Sequence, residues 1–228
     1  MPFHYDFRTI ATRAALLDVL DISDQEFTNV SNFKPNASPL HLNTSDRLGQ
    51  IVLPAFVAHR IPKKGKAPGV RLVWEPLSTK RSYKTLARRL ESFFNLTLID
   101  FPHDSVFGFR PGRNIRENAT LHCGNKNLLN VDIHDFFPSI SVGRVRDLFL
   151  KLDVNLLVSD LLARFLTVDG SLAPGLPTSP VISNAIALPM DIEYARMAKQ
   201  MNTVYSRYAD DLSFSGNDSL PSVESLRT

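Results

Sequence analysis

Apolar and polar positions recur along this chain with two different periods, and each change of period marks an element boundary. Phe7, Ile10, Ala14, Leu17 and Leu20 return every three or four residues, which predicts a helix over 7–20. Ser23, with Glu26 three positions on, reads as the capping box of a second short helix. Asn36 to Ser45, rich in Asn, Ser and Pro, reads as a linker. Strand signals then take over: Ile51–Leu53, Phe56–Ile61 and Val70–Trp74 read as strands, and the stretch from Pro62 to Gly69 turns the last two into a hairpin. Period two puts Arg71 and Val73 on one face of the second arm and Val70, Leu72 and Trp74 on the other. From Ser78 the helical period returns, with Leu86, Leu90, Phe93 and Phe94 as its apolar stripe and Arg88 and Arg89 on the solvated flank.

Further on, Leu128-Leu129-Asn130-Val131-Asp132-Ile133 has the composition of a buried strand ending in a carboxylate. Val142–Leu152 and Asn155–Val168 predict two amphipathic helices of structural character. A loop from Gly170 to Pro180 opens a long helix, with Ser179 as N-cap, Pro180 at the first helical position and a kink expected at Pro189. A helix start preceded by such a loop suits a nucleotide or a template backbone. Thr203–Arg207 and Leu212–Gly216 are β-prone runs flanking Tyr208-Ala209-Asp210-Asp211, and the whole reads as strand, tight turn, strand.

Composition narrows the class without deciding it. The chain has 228 residues, enough for one large core or two small ones, with 43% hydrophobic and 21% charged residues. Its single cysteine, Cys123, leaves no internal disulfide and no cysteine-only zinc site, and makes cytoplasm the expected compartment. The start, Met1 to Asp6, lacks the basic and apolar regions of a signal peptide, and no run is long enough to span a membrane, so no membrane partner is expected. Net charge is only +3, but it is unevenly distributed. Between Arg60 and Arg89 stand ten Lys and Arg against the single acid Glu75, leaving sixteen basic and twenty-two acidic residues elsewhere. A basic segment on an otherwise acidic chain is the footprint of a polyanion binder.

The carboxylates carry the chemistry. An isolated Asp-Asp pair is ordinarily a solvated turn, but here a turn lets Asp210 and Asp211 reach one site, where their mutual repulsion calls for a cation. Mg²⁺, a hard ion held by a few carboxylates and substrate phosphates, answers that need. Asp132 supplies a third carboxylate; the three together suit two ions about 3.5–4 Å apart, the arrangement used for in-line phosphoryl transfer. Lys63, Lys64 and Arg71 on the basic hairpin can face a triphosphate or a nucleic-acid backbone, and the turn-rich loop Gly108 to Asn114 adds Arg110 and Arg113. His122 has no second His or Cys at metal-ligand spacing, and with Asn118 it reads as a polar helix end that positions a template strand.

These blocks, in this order over roughly residues 50 to 216, resemble the bacterial reverse transcriptases, most closely the retron type. They are the basic hairpin Ile61-Pro62-Lys63-Lys64-Gly65-Lys66 with Arg71, then Gly108-Phe109, and Asn118-Ala119 with His122. Asn130-Val131-Asp132-Ile133 with Phe136-Phe137-Pro138-Ser139-Ile140 follows, then Pro177-Thr178-Ser179-Pro180 with Asn184, and finally Tyr208-Ala209-Asp210-Asp211. The resemblance implies an α+β fold shaped as a right hand, with an antiparallel palm sheet carrying the aspartates and fingers folded over it. On that basis residues 1–45 are an N-terminal helical extension and 46–228 the reverse transcriptase domain, with fingers at about 46–128 and 150–172 and palm at about 129–149 and 173–216. It implies metal ligation by Asp132, Asp210 and Asp211, with two Mg²⁺ ions. It also implies substrate contacts at Lys64, Arg71, Ile133, Phe137 and Gly175, Phe137 being the sugar-discriminating aromatic five after the first aspartate. Nucleic-acid contacts fall to Lys63, Arg110, Arg113, Asn118 and His122.

The implied activity is RNA-directed DNA synthesis from dNTPs on an RNA template, held as an RNA/DNA hybrid and yielding retron multicopy single-stranded DNA. A retron non-coding RNA and an accessory effector protein are the implied partners. Two departures temper this. Where the family reads Leu-Pro-Gln-Gly, this chain has Leu172-Ala173-Pro174-Gly175, and Pro174 cannot offer the amide that glutamine gives the incoming nucleotide. The sequence also stops twelve residues after Gly216, before the family's thumb and its Val-Thr-Gly signature, so a fragment or an unusual protein is expected. The competing reading is a catalytically impaired palm domain that serves as an RNA-binding or antiviral-defence component.

Overall fold

Strand-forming residues fall in three stretches of the chain, 51–76, 127–132 and 204–216, and these build two antiparallel sheets. The computed structural model describes residues 6–31, 51–52, 56–62, 69–76, 81–98 and 101–226. One three-stranded sheet runs β1 (Ile51–Val52), β2 (Phe56–Pro62), β3 (Val70–Pro76) in that order. The other holds β4 (Asn127–Asp132), β5 (Val204–Tyr208) and β6 (Asp211–Gly216), ordered β4-β6-β5. The helices are α1 (Arg13–Leu20), α2 (Asp24–Ser31), α3 (Arg81–Thr97), α4 (Ile115–Thr120), α5 (Val142–Lys151), α6 (Leu156–Leu166) and α7 (Ser179–Gln200). Helices with antiparallel sheets make an α+β fold, the class the sequence predicts. Among the described residues no helix is long and apolar enough to cross a membrane.

Two units, each built from two stretches of chain, divide the molecule: Met1–Phe93 with Phe137–Ser179, and Phe94–Phe136 with Pro180–Thr228. The N-terminal helices belong to the first unit, where Phe7 meets Phe93 edge-on at 5.0 Å and Phe27 stacks on Phe165 at 5.7 Å.

In the first unit the helix predicted over 7–20 is broken. Phe7–Thr9 is a 3-10 turn started by Asp6, Ile10 is extended, and α1 starts afresh at Arg13 with the Thr12 hydroxyl accepting from the Ala15 amide. Two local caps compete with one continuous helix, and both win. Phe7, Ile10, Leu17 and Leu20 are nevertheless buried as predicted, joined by Leu16, while Ala14 is exposed. On β3, Arg71 is exposed and Trp74 buried, but Val70 is exposed as well and Leu72 and Val73 are both half-buried, so burial rises along the strand instead of alternating. The linker at 36–45 and the hairpin tip with Lys63 and Lys64 lie outside the described residues.

Backbone bonds fasten the loop before α7. Val142 donates to Gly170, Leu172 to Ile140, and Trp74 to the Pro174 carbonyl at 2.8 Å. Gly175 adopts φ +99°, and a Cβ there would collide with the Trp74 carbonyl, so the loop tolerates only glycine at this approach. The Ser179 hydroxyl donates to the Ala173 carbonyl at 2.8 Å. This corrects the expectation of Ser179 as N-cap: it lies inside α7 and braces the loop. Pro189 sits within α7, which continues to Gln200.

In the second unit, strand order corrects another expectation. With β6 central, β4 is at the sheet's edge, and its residues alternate between exposed and partly buried. Leu128 is 58% exposed. One face of the sheet packs Tyr205, Leu212 and Phe214 against Tyr194 and Ala198 of α7, with Leu129, Val131 and Ile133 added from the β4 side. Tyr205 and Phe214 rings lie 4.9 Å apart. The opposite face is short and polar, and it carries the aspartates.

Candidate active site

Tyr208 pairs with Asp211, so β5 and β6 are joined by Ala209 and Asp210 alone. A turn this tight needs a left-handed residue, and Ala209 supplies it at φ +59°. For a residue with a Cβ that conformation costs roughly 1–2 kcal/mol, so its surroundings must hold it. They do so from two sides. The Ile133 amide donates to the Asp210 carbonyl at 2.9 Å. Gly108 lies so close that a Cβ on it would collide with the backbone of Tyr208 and Ala209. Flanking Gly108, the Arg207 amide donates to Ser105 and the Phe107 amide to Arg207, both at 2.8 Å, which covers the outer edge of β5.

Register brings the third carboxylate in. Asp132 is the direct partner of Asp211 across β4 and β6, which places their Cβ atoms about 4.5–5.5 Å apart on the same face. The Asp211 carboxyl is raised above the ordinary carboxylate range, first by burial and then by the charges of Asp210 and Asp132. Asp132 itself is exposed, which corrects the expectation of a buried strand-end carboxylate in need of an ion partner. Among the described residues no three acidic, imidazole or thiol groups converge closely enough to enclose a metal ion. The donor set is hard oxygen with surplus negative charge, the chemistry that suits Mg²⁺.

Beneath the turn lies a network that sequence reasoning missed. Arg207 and Asp191 form a fully buried ion pair: Nε donates to Oδ1 at 2.8 Å and Nη2 to Oδ2 at 2.7 Å. Tyr205 donates its hydroxyl to Asp191 Oδ1 at 2.7 Å; burial, then the Asp191 charge, holds that phenol protonated. Arg207 Nη1 donates both to Asn184 Oδ1 and to the Ala209 carbonyl, each at 3.0 Å. Asn184 Nδ2 donates in turn to the Gly108 carbonyl at 3.0 Å. The Phe136 ring caps the guanidinium at 5.7 Å. The only sequence signal was a lone Arg in an apolar strand and a lone Asp in an apolar stretch of helix.

The residues expected at nucleic acid are largely committed inside the unit. Asn118 is buried, its carboxamide oxygen lacking a partner. His122 lies across the polar sheet face with both ring nitrogens 2.7 Å from serine hydroxyls, Nδ1 from Ser215 and Nε2 from Ser206. Neither is turned outward to a template strand, and the physical reason is that α4 packs on β5. Arg110 pairs with Asp104 at 3.5 Å and donates to the His103 carbonyl at 3.1 Å, while Arg113 lies over the Phe107 ring at 4.9 Å. The Ile133 side chain packs with the apolar cluster on α7, and its backbone holds the turn. Arg71, Phe137 and Gly175 lie in the first unit, Arg71 and Gly175 exposed and Phe137 half-buried.

Burial lowers the His122 pKa, which gives a pH test. The unfolded imidazole takes a proton below about pH 6.5, whereas the folded one resists it. The fold therefore keeps its full stability above that pH and loses some as pH falls through it. The melting temperature between pH 8 and pH 5 should fall less for His122→Gln than for the parent; equal slopes would remove His122 as the cause.

No protein-family model matches the chain. Among curated proteins, it is 36% identical over 181 residues to the retron Mx65 reverse transcriptase of Myxococcus xanthus, covering 72% of this chain and 41% of that protein. It is 32% identical over 159 residues to the retron Ec86 reverse transcriptase of Escherichia coli, covering 69% of this chain and 48% of that one. A third match, the retron Mx162 reverse transcriptase of Myxococcus xanthus, is 36% identical over 131 residues, half of this chain and 27% of that protein. The chain thus spans less than half the length of each of these relatives. These matches, at 32–36% identity over 50–72% of this chain, lead to one conclusion: the chain is a sequence relative of the bacterial reverse transcriptases of the retron type.

Proposed function

We propose that this chain carries the fingers and palm of an RNA-directed DNA polymerase that extends a primer with dNTPs on an RNA template. The observation that carries the reading is the register of Asp132 against Asp211 beside a turn held at Asp210. Polymerisation joins the primer 3′-oxygen to the α-phosphorus of a dNTP and breaks the bond to pyrophosphate. Asp132, Asp210 and Asp211 would hold two Mg²⁺ ions, which would supply the positive charge that acidifies a primer hydroxyl and stabilises a leaving pyrophosphate. This chain's own groups do the rest. Lys64 and Arg71 hold the triphosphate by charge, and Lys63 holds the nucleic-acid backbone. Arg110 and Arg113 shape the loop that carries Gly108, and their exposed edges face the RNA/DNA hybrid. Phe137 lies under the sugar and rejects a 2′-hydroxyl. By the same family reading, the product is retron multicopy single-stranded DNA, and a retron non-coding RNA and an accessory effector protein are the partners.

A second reading has one observation in its favour. Pro174, where the family has glutamine, offers no side-chain amide, and its carbonyl is already bonded to Trp74. A palm with impaired chemistry then serves as an RNA-binding or defence component. Primer extension on an RNA template with Mg²⁺, using the chain in its natural reading frame, separates the two. Template-directed addition of dNTPs is expected, with ribonucleotides excluded; RNA binding without any addition would leave the second reading standing. Phe137→Ala should lower the ratio of dNTP to NTP specificity constants by about tenfold or more, since a steric gate is worth a few kcal/mol. An unchanged ratio would make Phe137 packing alone.

A further inference from the structure

The aspartate turn is strained, and a buried polar group is aimed at it. Ala209 is left-handed at φ +59°, and its carbonyl accepts from Arg207 Nη1 at 3.0 Å. That guanidinium cannot drift, because its other nitrogens are fixed by both oxygens of Asp191, at 2.8 and 2.7 Å. Asp191 is in turn fixed by the Tyr205 hydroxyl, and all three residues are buried. The same Nη1 meets Asn184, whose amide grips the carbonyl of Gly108, the residue packed directly on the turn. Arg207 therefore touches the turn itself and, through Asn184, the backbone that presses on it.

We propose that Arg207 is a positioning residue: Asp191 and Tyr205 lock its guanidinium so that it holds Ala209 left-handed and sets Asp210 and Asp211 at the angle needed for metal. The proposal deepens the polymerase reading and, for its catalytic consequence, rests on it. A lysine in place of Arg207 keeps one charge for Asp191 but lacks the planar fork that reaches Asp191, Asn184 and Ala209 together. A buried ion pair contributes little net stability and can often be exchanged for apolar residues of similar size. Holding one backbone conformation is a different task, which such an exchange does not perform.

Two variants in the natural reading frame test this, Arg207→Lys and the double exchange Arg207→Met with Asp191→Leu. Each is followed by thermal melting, amide hydrogen exchange, Mn²⁺ titration and primer-extension kinetics. With the melting temperature held, exchange should accelerate at the Ile133 amide, which donates to Asp210, while the amides of Leu212 and Phe214 stay protected. Mn²⁺ affinity and kcat should each fall by about 10–100-fold, the range for residues that orient metal ligands, with KM for dNTP nearly unchanged. Two results would overturn the proposal. One is parental Ile133 protection and kcat in a folded variant. The other is a collapse of melting temperature with protection lost evenly over the unit, since Arg207 would then hold the fold rather than the turn. A parental protein that adds no nucleotide would sink the polymerase reading, while Ile133 exchange would still decide the positioning.

Discussion

Asp132→Asn and Asp210→Asn are each expected to lower nucleotide addition by more than about a hundredfold, since even residues that only orient metal ligands are worth about 10–100-fold. RNA binding should remain close to parental, because it depends on cations elsewhere in the chain. The stability side of the prediction is unusual for a substitution at an active centre. Asp132 is exposed and faces Asp211, whose carboxyl is raised by burial and by the charges of Asp210 and Asp132. A carboxyl raised in the folded state opposes folding once ionised, so its penalty is present above the folded pKa and relieved as pH falls. Removing the Asp132 charge relieves part of it. Asp132→Asn should therefore melt at or slightly above the parental temperature at pH 7 while losing activity. Primer extension with Mg²⁺, a filter-binding assay on RNA and a melting curve check all three parts. Retention of more than about a tenth of the extension rate would take Asp132 out of the chemistry.

Gly108→Ala is expected to disable the protein by geometry alone. The added carbon would collide with the backbone of Tyr208 and Ala209, and backbone atoms cannot rotate aside as a flexible side chain can. Either the loop carrying Gly108 retreats or the turn shifts. Overpacking of this kind costs about 1–3 kcal/mol, which corresponds to roughly 2–10 °C in melting temperature for a protein of this size. A shift of the turn by about 1 Å is worth about a hundredfold in rate. Gly112→Ala is the matched control: φ is +78°, but a Cβ there has nothing within 4 Å. It should lose about 1 kcal/mol from backbone strain and keep its rate. Equal behaviour of the two variants would show that the close approach at Gly108 has no bearing on the turn.

Local features were the legible ones. Strand propensity in two short runs delivered both arms of the aspartate hairpin, now β5 (Val204–Tyr208) and β6 (Asp211–Gly216). Helical spacing delivered α5 and α6 to within a few residues at each end, and composition delivered the basic β2–β3 hairpin. Where two local signals competed, the reading went astray, as in the helix that Thr12 restarts at Arg13 and at Ser179, which ties down its own loop. Periodicity says which side chains share a face, and it is silent on what covers that face. Leu128 thus read as core and is exposed, while Asn118 and His122 read as outward contacts and are turned inward.

The sequence by itself determined the hairpin, its paired aspartates and the family, because propensity, period and motif order are written in neighbouring residues. Tertiary structure alone decided which distant groups meet. The order β4-β6-β5 sets Asp132 opposite Asp211, and the packing of α7 on that sheet lets Asp191 reach Arg207. Those meetings depend on strand order and on which face is buried. No window of sequence contains that information, since it is a property of the pairing between segments far apart in the chain.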